Sequence, residues 1–390
     1  MDIASVWSRV RLSRRAALRM GVPMLPPGRV SAATMRLRGA LGRAVLAMAP
    51  PQVQVVETAL AAIDTHVVGA LVELGVPAAL AGGPLSSAAL ATAVEGDIDA
   101  CERILRHAWS RGFVARRRDG RWAENRFMRA LRADGPFVTA GGAFGVWPTF
   151  MGSAWSSAAW ARLAHSARTG EAGFEVAHGA PFFEWVQRVE PAAGATFDAA
   201  MAAGGGLQGV VLAAADDWSS VRSVCDVGGG TGAALAEILT AHPRLHGALL
   251  DLPEVVARVI PDPVWADRMQ LVGGDFFAEV PSGHDRYLLT AVLHDWNDDA
   301  CVEILSTIGR AAAPGAEIVV VESIVPERGH NAFASATDVM MLVLTGSGRE
   351  RTAAQLEALA RRAGLRANGW RLLPSGFGRL SFSAQHRGPA

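Results

Sequence analysis

The sequence predicts an α/β fold: a mostly parallel sheet with helices on both faces and an antiparallel edge strand, preceded by an all-helical N-terminal region. Three observations point there. Beyond about residue 220, short apolar strands alternate with helical segments, the pattern of a helix-covered parallel sheet. The first of these strands ends in a glycine run that opens a helix. Before residue 215 the apolar residues recur mostly at spacings of three and four.

Composition narrows the field. The chain has 390 residues, half of them hydrophobic, enough for two domains and a sizeable core. Its 37 lysine-plus-arginine and 37 acidic residues cancel, whereas a dedicated nucleic-acid binder carries a basic excess. All 37 of those basic residues are arginine, so lysine chemistry such as a Schiff base is excluded. Cys101, Cys225 and Cys301 are too widely spaced for a metal pattern or a disulfide framework; no metal is expected, and a reducing cytoplasm fits. No run of about 18 apolar residues escapes charges or Gly/Pro breaks, so no integral membrane span is expected. Ser13-Arg14-Arg15 resembles a twin-arginine export signal, but Arg19, Pro23, Pro26 and Pro27 interrupt the apolar stretch it needs.

Residues 1–50 carry many arginines against one acid, Asp2, and read as an extension with solvated arginines rather than a membrane-surface contact. Residues 51–135 form the next unit. Val56, Leu60, Ile63, Val67 and Leu71 place a helix over 52–80, broken by Gly75 and Pro77. Ser86 or Ser87 caps a helix at 87–94, and another follows at 98–110. Phe113–Ala115 and Arg121-Trp122 flank Asp119-Gly120, a hairpin signal. Helix, helix and hairpin describe a winged helix. Its Arg116, Arg117, Arg118 and Arg121 invite a DNA-binding reading, but the helices offer few side chains able to reach base edges. Dimerisation is the preferred role. Residues 136–215 form a helical linker whose aromatic residues, including Trp147, Phe150, Trp155 and Trp185, are mostly core and in part an apolar substrate pocket.

Residues 216–390 form the α/β domain. Strands are expected at 221–227, 247–251, 269–272, 287–292 and 317–324, with helices at 231–241, 253–259, 299–312 and 353–363. Two final strands, 369–373 and 379–382, suit an antiparallel edge hairpin.

The chemistry-bearing residues sit where these strands end. Asp226-Val227-Gly228-Gly229-Gly230-Thr231-Gly232 lies at a strand-to-helix turn, where glycine lets the backbone approach a ligand. Gly228-x-Gly230-x-x-Ala233 also matches a dinucleotide fingerprint loosely. Asp226 separates the readings: its carboxylate accepts from a ligand ammonium or orders the loop, and it repels a pyrophosphate. Asp251, ending the next strand, is placed to accept ribose hydroxyls, a role compatible with capping the helix after Leu252. Asp275 and Phe276, in Gly273-Gly274-Asp275-Phe276-Phe277, suit an adenine amino group and ring face. His294, in Leu293-His294-Asp295-Trp296, follows the fourth strand on the edge where open α/β sheets bind ligands, and imidazole accepts a proton near neutral pH. Glu322, ending an apolar strand, needs a partner and is expected to take a hydrogen bond from His294. Glu350, in Gly348-Arg349-Glu350-Arg351-Thr352, reads alternatively as a surface partner of Arg349 or Arg351.

In order, Asp-Val-Gly-Gly-Gly-Thr-Gly, Asp-Leu-Pro, Gly-Gly-Asp-Phe and His-Asp-Trp resemble the plant-type small-molecule O-methyltransferases and their bacterial secondary-metabolism relatives over about 52–385. The resemblance implies a Rossmann-like class I methyltransferase sheet, a homodimer built through the winged-helix domain, and S-adenosylmethionine (SAM) as cofactor. It implies a SAM site at Gly228, Gly230, Asp251, Leu252, Asp275 and Phe276. It implies His294 as the base for the acceptor hydroxyl, flanked by Glu322 and Glu350. Phe197, Met201 and Met341 match substrate-clamping positions, with Asp295 beside the base. Thr290 stands where plant members tend to carry a lysine; its hydroxyl keeps a hydrogen bond to the cofactor but loses a cationic contact. The alternatives are an NAD(P)-dependent oxidoreductase and a winged-helix regulator answering to SAM or a metabolite.

Overall fold

A computed structural model describes residues 28–385 of the chain; Ser13-Arg14-Arg15 and the first part of the arginine-rich extension lie outside the described residues. The extension continues as helix α1 (Gly28–Ala47). The chain divides into two compact units.

One unit comprises Gly42–Leu163 and Phe174–Gly204. It holds α2 (Pro51–Glu73), α3 (Ser87–Ala93), α4 (Ile98–Ser110), the two-residue strands β1 (Ala115–Arg116) and β2 (Trp122–Ala123), α5 (Arg126–Leu131) and α6 (Val146–Gly152). Caps sit where the sequence places them. Ser86 Oγ accepts from the Ala89 amide and Asp97 from that of Ala100, satisfying donors that a helix start leaves free. Gly75, at φ 73°, ends the α2 region in the left-handed conformation glycine tolerates. The core gathers Leu71, Leu80, Leu90, Leu105, Met128 and the fully buried Trp122. Trp122 donates its indole N–H to Ser87 Oγ at 3.0 Å, and Arg116 stacks over its ring at 4.7 Å while pairing with Glu102. Arg121 pairs with Asp119. Two of the four wing arginines are therefore engaged within their own unit.

The other unit comprises, among the described residues, 28–41, Ala164–Gly173 and 205–385. Its strands are β3 (Ser223–Val227), β4 (His246–Asp251), β5 (Met269–Gly273), β6 (Arg286–Thr290), β7 (Glu317–Glu322), β8 (Leu365–Leu372) and β9 (Gly378–Ala384). They form one sheet in the order β5-β4-β3-β6-β7-β9-β8. Pairings from β5 through β7 are parallel; β9 runs antiparallel to both β7 and β8. The final hairpin thus places β9 inside the sheet and leaves β8 as the edge. Central strands are mostly apolar, Leu288, Leu289, Val319 and Val320 being buried, because helices cover both faces. Those helices are α8 (Ala233–Ala241), α9 (Asp298–Ala311), α10 (Ala332–Leu344) and α11 (Ala353–Arg362). α7 (Pro191–Ala215) precedes the sheet, belonging to the first unit through Gly204 and to this one from Gly205. Three differences from expectation matter. The helix after Asp251 is a single turn, Pro253–Val256; β6 stops at Thr290 rather than continuing to 292; and α10 was not anticipated.

Candidate active site

β3 and β6 are adjacent at the centre of the sheet, with β4 and β5 on one side and β7 on the other. Connections leave these two strands in opposite directions, so a crevice opens at their carboxyl ends.

The glycine turn after β3 forms one wall. Gly228, Gly230 and Gly232 have φ of 68°, 60° and 79°, which strains any other residue. A Cβ on Gly228 would stand 3.1 Å from Val292 and 3.4 Å from Phe276, so the missing side chain lets the turn lie against both. Asp251 Oδ2 accepts from the Gly230 amide and Oδ1 from the Leu252 amide, each at 2.7 Å. Asp226 lies beneath the turn, fully buried, with neither carboxylate oxygen hydrogen-bonded to the described residues. Burial, and then the nearby Asp251 carboxylate, push it up to about 7. Two carboxylates beside a glycine cradle suit a ligand bearing positive charge and oppose a pyrophosphate. The expected cofactor fits this donor set. Asp275 Oδ1 accepts from the Phe277 amide at 2.9 Å, and Phe276 packs edge-on to Trp296. Leu252 is exposed; Thr290 Oγ1 is buried at the end of β6 with no hydrogen-bond partner among the described residues.

The facing wall carries the imidazole. At Ala291 the chain takes φ 55°, unusual for a residue with a Cβ, and bends away from the sheet. The bend points the Val292 and Leu293 amides at Glu322 Oε1, at 3.1 and 2.8 Å. A short turn, Leu293–Asp295, then presents His294. Its Nδ1 lies 3.1 Å from Glu350 Oε1 and 3.7 Å from Glu322 Oε2; its Nε2 lies 3.7 Å from Asp295 Oδ1.

Two expectations are corrected here. The His294 ring hydrogen-bonds Glu350, which accepts through Oε1, and not Glu322: Glu322 Oε1 takes the two amides, and its Oε2 stays 3.7 Å from Nδ1, beyond hydrogen-bond reach. Glu350 is not a surface partner of Arg349 or Arg351; it is buried, and Asp338 on α10 accepts from its amide at 2.9 Å. Asp338 was missed because α10 was missed. Arg351 turns instead to backbone carbonyls and Asp298.

Burial opposes a charged ring at His294, but the carboxylates of Asp295, Glu322 and Glu350 outweigh it and raise the imidazole to about 10. Burial is also the main cause that lifts Glu322 to about 7 and Asp295 to about 6. The cluster therefore holds protons around neutral pH. The donor atoms of His294, Glu322 and Glu350 lie within 4.8 Å of one another, and the imidazolium supplies the positive charge among them.

The sheet unit thus carries Asp226, Gly228, Gly230, Asp251, Phe276, Thr290, His294, Asp295 and Glu322 at or just beyond the ends of β3, β4, β5, β6 and β7, with Glu350 supplied by the segment after α10. Met341 is buried on α10. Phe197 and Met201 belong to the other unit, half-buried on α7, where Phe197 packs on Phe182 at 4.8 Å and Phe150 at 5.8 Å.

Residues 160–366 match the family described as an O-methyltransferase domain, and residues 56–133 match the O-methyltransferase dimerisation domain. The chain is 37% identical over 311 residues to the mitomycin biosynthesis 6-O-methyltransferase of Streptomyces lavendulae, covering 79% of this chain and 86% of that one. Its fold is similar to that of the mitomycin 7-O-methyltransferase MmcR, with TM-score 0.74 and 31% identity over 89% of this chain and 100% of the other. It is also similar to NcsB1, an O-methyltransferase from neocarzinostatin biosynthesis solved with SAM and 2-hydroxy-5-methyl naphthoic acid. There the TM-score is 0.64 and identity 31%, over 83% of this chain and 96% of that one.

Proposed function

The chain belongs to the O-methyltransferase family and is a SAM-dependent enzyme, and from that premise we propose that it methylates a hydroxyl on an aromatic or polyketide-like metabolite, with His294 as the base. The oxidoreductase and regulator alternatives are dropped, since both matched families are O-methyltransferase ones. One observation carries the assignment of the base: His294 stands two residues beyond Val292, which lines the Gly228 turn, with Glu350 at its Nδ1.

When bound, SAM supplies a methyl group on an electrophilic sulfonium centre. Gly228 and Gly230 would admit it, and the Asp251 carboxylate would accept from its ribose hydroxyls. Leu252, Asp275 and Phe276 would border its adenine, and the Thr290 hydroxyl would hydrogen-bond the cofactor. Glu350 accepts the His294 Nδ1 proton, which leaves Nε2 to take the proton of the acceptor hydroxyl. Glu322 holds the turn that carries the ring. Asp295 and Met341 are assigned to the acceptor. Alignment of oxygen, carbon and sulfur supplies most of the acceleration.

We assign a homodimer to the exposed apolar face of α2. Val53, Val56, Leu60 and Ile63 lie there, in and beside the segment matching the dimerisation domain. α2 and α7 are long and apolar enough to cross a membrane. In α2, however, Asp64 is bonded to His107 and Arg111 within its own unit, which favours a partner chain over lipid. Cytoplasmic placement and the absence of nucleic-acid binding complete the proposal.

Calorimetry tests the cofactor site. Asp251→Ala is expected to weaken SAM binding by an order of magnitude or more; unchanged affinity contradicts the ribose assignment.

A further inference from the structure

We propose that Arg351 is a positioning residue for methyl transfer: it clamps the Leu293–Trp296 turn, and so fixes where the His294 ring points. The inference rests on His294 being the base.

Arg351 is only 2% exposed, rare for an arginine. Its guanidinium is spent almost wholly on the turn. One terminal nitrogen donates to the Leu293 carbonyl at 2.9 Å, and the other to the Trp296 carbonyl at 2.7 Å. Nε donates to Asp298 Oδ1 at 2.9 Å, at the start of α9. The carbonyls on both sides of His294-Asp295 are thus tied to one rigid plane. Cys301 Sγ donates to the same Leu293 carbonyl at 3.2 Å.

Neighbours of Arg351 in sequence complete the clamp. A Cβ on Gly348 would meet the His294 carbonyl oxygen at 2.5 Å and that of Asp295 at 2.9 Å, so the segment lies flush on the turn only because residue 348 is glycine. Glu350 reaches the His294 ring itself. Across the turn, Glu322 holds the Val292 and Leu293 amides. The amides are gripped by a carboxylate and the carbonyls by a guanidinium, with a strained Ala291 between them and the sheet. A turn bent at a non-glycine left-handed residue persists only where its surroundings over-determine it. Arg351 supplies that constraint from the carbonyl side.

Lysine cannot replace it. An ammonium has no planar fork to span two carbonyls and a carboxylate at once. A ring displaced by about 1 Å costs about 10²-fold in rate even when every reacting group is present.

The test compares Arg351→Lys, His294→Ala and wild type in SAM affinity, kcat, KM for a phenolic acceptor, and the pH dependence of kcat. Arg351→Lys is expected to lower kcat by about tenfold to a hundredfold, to leave SAM affinity within about twofold, and to move the pH limb that His294→Ala abolishes. Wild-type kcat and an unmoved limb, with only a lower melting temperature, would overturn the proposal and leave Arg351 a packing residue. If His294→Ala keeps the wild-type limb, the base assignment fails instead. Should Arg351→Lys not fold, Gly348→Ala presses on the same turn from the other side: a lowered kcat with a shifted limb supports the clamp, and wild-type values for both overturn it.

Discussion

His294 works through its neighbours. Three carboxylates make its ring a cation in the free enzyme, raised to about 10. A folded-state value above the ordinary one stabilises the fold fully below about pH 6.5, and that contribution is lost as pH rises through 10. Base catalysis needs the neutral ring. Positive charge bound in the crevice lowers the imidazole again, so kcat is expected to rise with pH along a limb that lies below 10. His294→Ala should remove that limb and lower kcat by about 10²–10⁴-fold while calorimetric SAM affinity holds. Asp226 obeys the opposite economy. As a buried acid raised to about 7, it favours folding when protonated, so its penalty grows as pH rises from about 4 through 7. Asp226→Asn should therefore melt higher than wild type at pH 8, with the difference shrinking towards pH 5; a constant difference would contradict the burial argument.

Elements place these residues, and not all of them were legible in the sequence. The Asp226–Gly232 turn and Asp251 could be read because glycine and an acid at strand ends have few other uses. The imidazole could be found because it follows an apolar strand. The partner of its Nδ1 could not: Glu322, ending an apolar strand, is the expected one, and only the fold brings Glu350 to 3.1 Å while Glu322 stays at 3.7 Å. Nothing in the composition of Ala291 announces a left-handed residue. α10 escaped notice because its polar residues are few and its periodicity is blurred by a nearly continuous apolar run, Val339–Leu344. With it went Asp338, which holds the Glu350 amide. Far-apart charges were equally hidden. Asp216, just after α7, pairs with Arg286 of β6 and Arg379 of β9 at 3.3 and 2.9 Å, in a cluster shared with Glu317 of β7. Arg286 also lies over the Trp218 ring at 4.4 Å. Removing Asp216 leaves two buried guanidinium groups to share the single Glu317 carboxylate, one positive charge in excess. Asp216→Ala is expected to cost about 3–5 kcal/mol in denaturant unfolding without altering SAM affinity; a cost below 1 kcal/mol would show the cluster to be slack.

At the scale of the whole molecule, α2 leaves apolar side chains at the surface of its unit that a lone chain has no reason to expose. The paired change Leu60→Asp and Ile63→Asp is expected to halve the sedimenting mass, whereas a wild-type mass would place the dimer contact elsewhere. Methyl transfer requires the glycine crevice and the imidazole to lie side by side. A crystal structure with S-adenosylhomocysteine bound is expected to show the nucleoside against Gly228, Asp251 and Phe276, with its sulfur facing the side from which His294 Nε2 reaches an acceptor oxygen. A nucleoside bound away from the Gly228 turn, or a His294 ring turned out of the crevice, would contradict it.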